Sequence, residues 1–229
     1  MHNINWITKV DYTLLEDCNE NEIHKLCLKA IALKVKSICV YPKWVKFCAE
    51  ILKDSEVLVC TVIDFPYGQN SMESKITESK TAIFDGADEL DLVLNYKKLN
   101  EIEKQLKDLK FWTDFAHNYK NKLGETIGLK VIVESGLLSI EETEVATRIC
   151  IQSGVDFIKT STGKVAIGAE IEKVKLMQLE IEKAKSNLQI KASGGIRTLE
   201  QIDLFNTYVN RFGMGYKTVD TLIEDSKGT

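Results

Sequence analysis

The chain has 229 residues, of which 44% are apolar and 28% charged, and its formal net charge is -4. This length suits one large α/β domain, because barrels of alternating strands and helices often reach it as a single domain. A weakly acidic chain without a basic stripe argues against nucleic acid as a partner. No apolar run approaches the ~20 residues that span a bilayer, which argues against a membrane partner.

Two further features bear on the compartment. The N-terminal residues Met1–Trp6 lack the charged and apolar regions of a signal peptide. Six cysteines, at positions 18, 27, 39, 48, 60 and 150, lie in apolar segments without a Cys-x-x-Cys pair, so we expect reduced thiols and a cytoplasmic protein.

The histidines His2, His24 and His117 have no ligand spacing, so we predict no metal site.

Short β-type apolar runs alternate with segments of helical periodicity along the whole chain. The runs predict strands at Val10–Leu14, Ser37–Tyr41, Val57–Ile63, Glu89–Leu94, Leu129–Glu134, Phe157–Thr160, Gln189–Ala192 and Arg211–Gly213. The intervening segments predict helices at Asn21–Leu33, Lys43–Lys53, Ser74–Gly86, Glu101–Tyr119, Ser139–Gly154, Ala169–Asn187, Thr198–Asn206 and Thr218–Asp225. The segment Ser139-Ile140-Glu141-Glu142 resembles a capping box, and Gly154 lies where the C-cap of a helix is expected.

The strand type indicates the architecture. The run Val57–Ile63 is apolar on both faces, as parallel strands covered by helices are. Repeated strand–helix units of this kind predict a single-domain α/β fold, a (β/α)8 TIM barrel with parallel strands over residues 1–229. An open, doubly wound parallel sheet is the alternative that the pattern alone leaves open.

The most informative strand ends on a lysine. Side chains alternate along a strand, so Val155, Phe157 and Lys159 share one face. The amine of Lys159 therefore ends an apolar row, and a desolvated amine becomes a nucleophile toward carbonyl groups. The alternative is a surface lysine whose stem lies along the strand end.

Other predicted strands also carry charges. Asp11 lies in the first, Asp91 in the fourth and Lys191 in the seventh. In a barrel of this kind the chemistry lies at the C-terminal ends of the strands. Two aspartates and two lysines that meet in one lumen neutralise one another, and such sets mark functional sites. Held as a cation, Lys191 disfavours a second positive charge on Lys159.

Four charged residues have simpler interpretations. Glu134 ends the predicted fifth strand and could pair with a neighbouring lysine without any further role. Asp88 and Glu89 we expect to be solvated or structural. Asp11 could instead cap a turn.

Glycine-rich turns follow the last three strands: Gly163-Lys164, Ser193-Gly194-Gly195-Ile196-Arg197, and Arg211-Phe212-Gly213-Met214-Gly215. Loops after the seventh and eighth strands commonly hold a phosphate in this fold, through backbone N–H groups and helix N-termini. Either turn alone is weak evidence, but both together at these positions favour a phosphate site.

These residues resemble the 2-deoxy-D-ribose-5-phosphate aldolase family of class I, Schiff-base aldolases. The resemblance runs almost end to end. Its motifs are Asp11-Tyr12-Thr13-Leu14-Leu15, Ile38-Cys39-Val40-Tyr41-Pro42, Phe65-Pro66-Tyr67-Gly68, Gly86-Ala87-Asp88-Glu89-Leu90-Asp91, Lys130-Val131-Ile132-Val133-Glu134, Asp156 to Lys164, and Lys191 with Gly194-Gly195-Ile196-Arg197.

The resemblance implies a reversible cleavage of 2-deoxy-D-ribose 5-phosphate to D-glyceraldehyde 3-phosphate and acetaldehyde. It makes Lys159 the Schiff-base lysine, Lys191 the second lysine and Asp91 the proton shuttle. It assigns substrate contacts to Asp11, Thr13, Cys39, Gly163, Lys164, Gly194, Gly195, Ile196, Arg197 and Gly213. It implies no metal or organic cofactor, a small-molecule sugar phosphate and aldehyde as partners, and a homodimer or homotetramer.

Two departures from the family pattern leave alternatives open. Many relatives have serines after the glycine that matches Gly213, whereas this chain has Met214-Gly215-Tyr216; we expect Lys164, Arg197 or the Tyr216 hydroxyl to compensate. Some relatives end in a catalytic tyrosine, whereas this chain ends Asp225-Ser226-Lys227-Gly228-Thr229. A Schiff-base aldolase for an unphosphorylated or different aldehyde, and a non-catalytic sugar-phosphate-binding barrel, remain the alternatives.

Overall fold

Eight parallel strands close into a barrel, and a helix follows each strand along the chain. The computed structural model describes residues 4–227, so Met1–Asn3, on which the prediction about a signal peptide partly rests, and Gly228–Thr229 lie outside it. Each strand pairs with the next, and the eighth pairs with the first. The predicted (β/α)8 barrel is confirmed, and the open sheet is wrong because a closed barrel has no unpaired edge.

The structure confirms every predicted strand and helix, with ends that shift by a few residues. The strands are β1 Val10–Leu14, β2 Ser37–Val40, β3 Leu58–Ile63, β4 Glu89–Val93, β5 Gly128–Ile132, β6 Phe157–Lys159, β7 Gln189–Ser193 and β8 Arg211–Gly215. The helices are α1 Glu20–Leu33, α2 Val45–Leu52, α3 Met72–Phe84, α4 Ile102–His117, α5 Ile140–Ser153, α6 Ile171–Ala184, α7 Leu199–Asn206 and α8 Tyr216–Lys227.

Two boundary differences have physical reasons. The start of the predicted second helix is a separate 3-10 turn at Pro42–Trp44, because proline lacks the N–H group and fixes the backbone at this entry. The eighth strand continues to Gly215, two residues beyond its predicted end, because residues 213–215 pair with Asp11–Thr13 of β1. Gly213, Met214 and Gly215 therefore belong to a strand end and not to a loop.

Local sequence accounts for the helix boundaries. The side chains of Asn19, Ser139 and Thr198 cap α1, α5 and α7 in capping boxes with the residue three positions on. Gly154 ends α5 in the left-handed conformation with φ 73°, which glycine adopts without a Cβ clash. Among residues 4–227, no helix combines the length and the apolar character needed to cross a bilayer.

Strand alternation divides the buried residues into two environments. Val10, Tyr12 and Leu14 of β1 belong to the main apolar core between the barrel and its helices. Asp11 of the same strand is fully buried on the opposite, inner side. Barrels of this kind usually stack apolar side chains in the lumen, and burying a charge there costs free energy. The buried charged side chains of the strands therefore indicate a functional site: Asp11, Glu89, Asp91, Lys130, Lys159, Lys191 and Arg211.

Candidate active site

Two lysines and one aspartate meet in the lumen. Lys159 at the end of β6 and Lys191 on β7 are register partners on neighbouring strands. The Nζ atoms of both lysines donate to Oδ2 of Asp91 on β4, each at 2.7 Å. Asp91 and Lys191 are fully buried and Lys159 is 4% exposed. The structure thus brings together the three residues that the sequence predicts as catalytic.

A second set of charges supports this group from within the barrel. The Arg211 guanidinium contacts Asp11 through Nη1 and Glu89 through Nη2. Lys130 Nζ lies 2.7 Å from Glu89 Oε2 and 3.0 Å from Asp91 Oδ1. Each charge in this buried network therefore has a partner of opposite sign, which is the condition for burying it.

Asp11 links the two sets. Its Oδ2 lies 2.5 Å from Lys191 Nζ as an ion pair, although the angles do not make this contact a hydrogen bond. Its other oxygen contacts Arg211. Asp11 thereby gives the ammonium of Lys191 a second carboxylate partner besides Asp91, and it does not cap a turn.

The pKa values of the network follow from its charges. Burial alone raises the pKa of a carboxyl, but the ammonium groups of Lys130, Lys159 and Lys191 hold the pKa of Asp91 well below its usual range. Burial also raises the pKa of Asp11, but the neighbouring guanidinium and ammonium groups outweigh this effect and lower the pKa below its usual value. Burial alone lowers the pKa of Lys191, yet Asp11 and Asp91 raise it above its usual value. At neutral pH Asp91 is an anion and Lys191 a cation.

Two cysteines complete the wall beside Asp91. Cys39 on β2 and Cys60 on β3 are register partners, and Cys60 Sγ donates to Asp91 Oδ1 at 3.1 Å. The side-chain hydrogen bond between the two thiols lowers the pKa of Cys39, whereas burial raises that of Cys60. Both thiols pack with Leu15 and Val62 in a small apolar cluster, and all six cysteines of the chain are free.

A cavity of about 470 Å³ opens above the lysines at the C-terminal ends of the strands. Its lining contains nine of the residues predicted from the sequence: Thr13, Lys159, Gly163, Lys164, Gly194, Gly195, Ile196, Arg197 and Gly213. The other four, Asp11, Cys39, Asp91 and Lys191, lie beneath it in the lumen and are fully buried. Lys159 is therefore the member of the catalytic group that reaches the cavity.

Glycine backbone forms the far end of this cavity. Gly163, Gly194 and Gly195 have left-handed φ angles of 76°, 81° and 79°. A Cβ at Gly163 or Gly195 would meet open space, whereas at Gly194 it would lie 3.1 Å from Gly168 Cα. Within the described part of the chain, the N–H groups of these three glycines donate no hydrogen bond. Free N–H groups in consecutive turns form a concave surface suited to an anion.

The two cations at this end have different partners. Lys164 Nζ donates to the backbone oxygen of Leu15 at 2.7 Å, which joins the loops after β1 and β6. Arg197 is exposed, and its backbone N–H is occupied by Gln201 Oε1 at 2.7 Å. Of the two, Arg197 can reach an anion with its side chain without first releasing a protein partner.

Glu134 has a role that sequence reasoning did not assign. Its carboxylate accepts hydrogen bonds from the Thr162 N–H at 3.1 Å and from the Thr162 hydroxyl at 2.5 Å. Glu134 is 1% exposed and adopts a left-handed conformation, with φ 52°. The suggested pairing with a lysine is wrong: Glu134 holds the loop after β6, and Gly163 and Lys164 follow Thr162 directly.

The predictions for Glu89 and Asp88, solvated or structural, have the same outcome for both residues: each is structural. Glu89 is structural, because both of its oxygens contact cations inside the lumen. Asp88 is also structural and is buried rather than solvated, since it accepts the N–H groups of Val59 at 2.8 Å and Lys122 at 3.0 Å.

Sequence reasoning missed several residues of the site. Lys130 and Arg211 were not assigned a role. The signal that identified Asp91, a charge inside an apolar strand, applies to both of them and could have found them. Tyr216 does not line the cavity; its ring packs edge-on against Tyr12 at 6.1 Å, so the expected contribution of its hydroxyl is not supported. Ser193 and Thr218 line the cavity instead. Ser193 begins the glycine-rich turn after the seventh strand but was assigned no contact, and no local pattern singles out Thr218.

The lumen also contains donors that metals use, in the groups Cys39, Cys60, Asp91 and Asp11, Cys60, Glu89. Every carboxylate in these groups already contacts an ammonium or a guanidinium. A divalent cation would therefore meet several positive charges at close range, and the donor set suits lysine chemistry better than metal binding. The absence of a metal stays a prediction.

A second cavity of about 440 Å³ lies between the start of α3 and the middle of α4. Its lining includes Lys98, Lys104 and Trp112 but none of the lumen lysines. The cavity above Lys159 is therefore the candidate active site.

A (β/α)8 barrel with a cavity-facing lysine, a second lysine and a shared carboxylate at the C-terminal ends of its strands has the groups of an enzyme that works through an amine nucleophile. The family model of the DeoC/LacD family aldolases matches residues 7–210. The chain belongs to this family.

Individual proteins agree with this assignment. The deoxyribose-phosphate aldolase of Mycoplasmoides pirum is 41% identical over 223 residues, which cover 96% of this chain and 98% of the relative. A solved protein described as an aldolase has a TM-score of 0.85 at 34% identity and covers 98% of this chain and 97% of its own. The deoxyribose phosphate aldolase of Aeropyrum pernix, at 24% identity and a TM-score of 0.85 over 99% of this chain and 93% of its own, shares the fold.

Proposed function

We propose that this chain, as one domain over residues 1–229, cleaves 2-deoxy-D-ribose 5-phosphate reversibly to D-glyceraldehyde 3-phosphate and acetaldehyde. It is a class I aldolase, in which a lysine Schiff base carries the substrate. The observation that carries the proposal is the position of Lys159: its amine shares Asp91 Oδ2 with Lys191 and opens into the glycine-lined cavity.

Charge balance favours Lys159 as the nucleophile. The network contains three carboxylates and four cationic side chains: Asp11, Glu89 and Asp91, with Lys130, Lys159, Lys191 and Arg211. Among the described residues Lys159 has one carboxylate partner, whereas Lys130, Lys191 and Arg211 each contact at least two. A neutral Lys159 leaves three cations facing three carboxylates, and a neutral amine is the reactive form.

The chemistry begins with attack of the Lys159 amine on the C1 aldehyde of the open-chain sugar. The carbinolamine loses water to give an iminium ion, which withdraws electrons from C2. The C3 hydroxyl then releases its proton, the C2–C3 bond breaks, and its electron pair forms an enamine between C1 and C2. D-glyceraldehyde 3-phosphate departs. A proton returns to C2, and water hydrolyses the resulting iminium to acetaldehyde and free Lys159.

Asp91 is the proposed proton carrier. It begins the cycle as an anion, because Lys130, Lys159 and Lys191 lower its pKa, so it first accepts a proton and later returns it. Its contact with Lys159 Nζ places it beside the carbinolamine nitrogen, and a water can extend its reach to the substrate hydroxyl. Lys191 stays charged throughout and acts by its field rather than by attack.

The substrate is oriented by the shape of the cavity. With C1 at Lys159, the phosphate on C5 reaches the free N–H groups of Gly163, Gly194 and Gly195, with Arg197 at the rim. Thr13 lines the cavity as well, and its hydroxyl donates to the backbone oxygen of Asp11 at 2.9 Å. The iminium supplies the electron sink, so the proposed reaction requires no metal or organic cofactor.

Assembly and location complete the proposal. The related aldolase from Aeropyrum pernix is described as a tetramer. By analogy we propose that the present chain forms a homodimer or homotetramer. Light scattering on the purified protein tests this oligomeric state. Six free cysteines suit a reducing compartment such as the cytoplasm.

Borohydride reduction in the presence of acetaldehyde tests the nucleophile. We expect a reduced two-carbon adduct on the peptide that contains Lys159, and none in Lys159→Arg. Lys164→Arg is the matched control, because Lys164 lies in the same cavity lining but donates to Leu15. An adduct on Lys164 or Lys191 with Lys159 unmodified would contradict the assignment. Absence of any adduct would favour a non-catalytic sugar-phosphate-binding barrel.

One observation favours a second candidate, an aldolase for an unphosphorylated aldehyde. Positions 215 and 216, where many relatives have serines, contribute no side-chain hydroxyl to the cavity. Equal kcat/KM values for 2-deoxyribose 5-phosphate and 2-deoxyribose would reject the phosphate site and support this candidate.

A further inference from the structure

The junction between β8 and α8 places a threonine hydroxyl at the candidate phosphate site. Gly215 is the last residue of β8 and Tyr216 the first of α8, so Gly215 stands where a polar side chain usually caps a helix. A Cβ built on Gly215 would have one neighbour within 4 Å, Thr218 Oγ1 at 4.0 Å. The Thr218 hydroxyl therefore lies beside the space that a side chain at position 215 would enter.

The Thr218 hydroxyl is available for a ligand. Thr221, one turn further along α8, donates to the backbone oxygen of Lys217 at 3.0 Å, as threonines inside helices commonly do. Thr218 forms no hydrogen bond of this kind with any residue that the structure describes, because the position four residues before it belongs to β8. Thr218 lines the same cavity as Lys159.

A second, independent hydroxyl faces this cavity. Ser193 at the end of β7 is 4% exposed, and its Oγ has no hydrogen-bond partner in residues 4–227. A Cβ at Gly213 would overlap with Ser193 Oγ, so the glycine at position 213 leaves room for this hydroxyl. A buried hydroxyl without a partner reduces stability unless a ligand or water satisfies it.

We infer that Thr218 supplies the side-chain hydroxyl of the phosphate site that position 215 lacks in this chain, with Ser193 as a second donor. The inference rests on the proposed function, since it takes the phosphate of the proposed substrate as the ligand. Hydroxyls suit this task because they donate to the phosphate oxygens without adding a further charge above the charged network of the lumen. Thr218 is then a specificity residue, which separates phosphorylated from unphosphorylated sugars.

Kinetics of three variants test this role. Thr218→Val removes the hydroxyl and keeps the shape, Thr218→Ser keeps the hydroxyl, and Thr221→Val is the matched control on the same helix. We expect Thr218→Val to lower kcat/KM for 2-deoxyribose 5-phosphate about 10-fold, mainly through KM, because it loses one hydrogen bond to a charged group. Turnover of 2-deoxyribose should stay unchanged, and Thr218→Ser and Thr221→Val should match the natural protein.

Restoring a hydroxyl at the neighbouring position makes the test sharper. In the Thr218→Val background, Gly215→Ser should recover most of the lost KM, because the two side chains reach the same space. Equal losses for both sugars, no loss in Thr218→Val, or the same loss in Thr221→Val would each overturn the inference.

A binding measurement separates failure of this inference from failure of the proposed function. Inorganic phosphate should raise the melting temperature of the natural protein more than that of Thr218→Val, since a ligand stabilises the state that binds it. This outcome supports Thr218 even if the protein turns over neither sugar. If both sugars are cleaved but phosphate stabilises the two proteins equally, Thr218 is excluded and the aldolase activity stands.

Discussion

Lys159 and Lys191 are register partners on β6 and β7, and their Nζ atoms both lie 2.7 Å from Asp91 Oδ2. One carboxylate oxygen thus faces two ammonium groups. Asp11 adds a second carboxylate to Lys191 but none to Lys159. The pair is therefore asymmetric: Lys191 is fixed as a cation, and Lys159 faces the cavity with the weaker set of ionic contacts.

This asymmetry predicts a change in the pH profile. Lys191→Leu removes the positive charge beside Lys159, so protonated Lys159 meets less repulsion and the rising limb of kcat/KM against pH should move to higher pH. Lys191→Arg keeps the charge and should keep the limb in place. Circular dichroism should check that Lys191→Leu folds. A profile that does not move in Lys191→Leu would exclude action by charge.

Asp91→Asn should slow turnover while it preserves the shape of the lumen. A positioned acid or base typically contributes about 10²–10⁴ to the rate, and kcat should fall within this range. Single-turnover measurements with acetaldehyde should locate the loss in adduct formation and in proton transfer at C2. Full activity in Asp91→Asn would show that another group moves the proton.

Gly215→Ser should lower KM for 2-deoxyribose 5-phosphate about 3- to 10-fold in the natural background, since a new hydroxyl can donate to a charged ligand. A serine fits, because the nearest atom to its Cβ is Thr218 Oγ1 at 4.0 Å. Gly215→Ala controls for the backbone and should leave KM unchanged. An equal improvement with unphosphorylated 2-deoxyribose would be inconsistent with a phosphate contact.

Arg211→Met should destabilise the fold. The change leaves Asp11 and Glu89 without their guanidinium contacts inside the barrel. Removing one partner from a buried ion pair typically lowers the free energy of unfolding by about 3–5 kcal/mol. Arg148→Met is the matched control: its 55%-exposed side chain pairs with Glu180, and because solvent screens an exposed guanidinium a much smaller loss is expected. Urea unfolding distinguishes the two, and similar losses would contradict the network's structural role.

Stability should fall at acid pH. The pKa values of Asp11 and Asp91 are lowered in the folded protein, so their ion pairs stabilise it above the unfolded-state pKa of about 3.9 and lose that effect as the pH falls below it. The urea midpoint should therefore decrease as the pH falls from about 4 to about 2. Asp11→Asn should show a smaller decrease over the same range, and an equal one would exclude Asp11 as a source.

Much of the fold followed from local patterns. Periodicity and capping signals are properties of neighbouring residues, so the strand and helix order and the capping box at Ser139 could be predicted without tertiary information. Strand alternation also predicted that Lys159 shares one face of its strand with Phe157. Boundaries that depend on a partner strand were missed, and β8 extends to Gly215 because β1 lies beside it.

The partners of the charged residues were decided by the closed barrel. Lys130 meets Glu89 and Asp91, and Arg211 meets Asp11 about 200 residues away in the chain. The sequence by itself determined which residues of a strand share a face. It did not determine the height of each side chain in the lumen, because the tilt and stagger of the strands arise only when the sheet closes. The same closure brings Thr218 to the cavity.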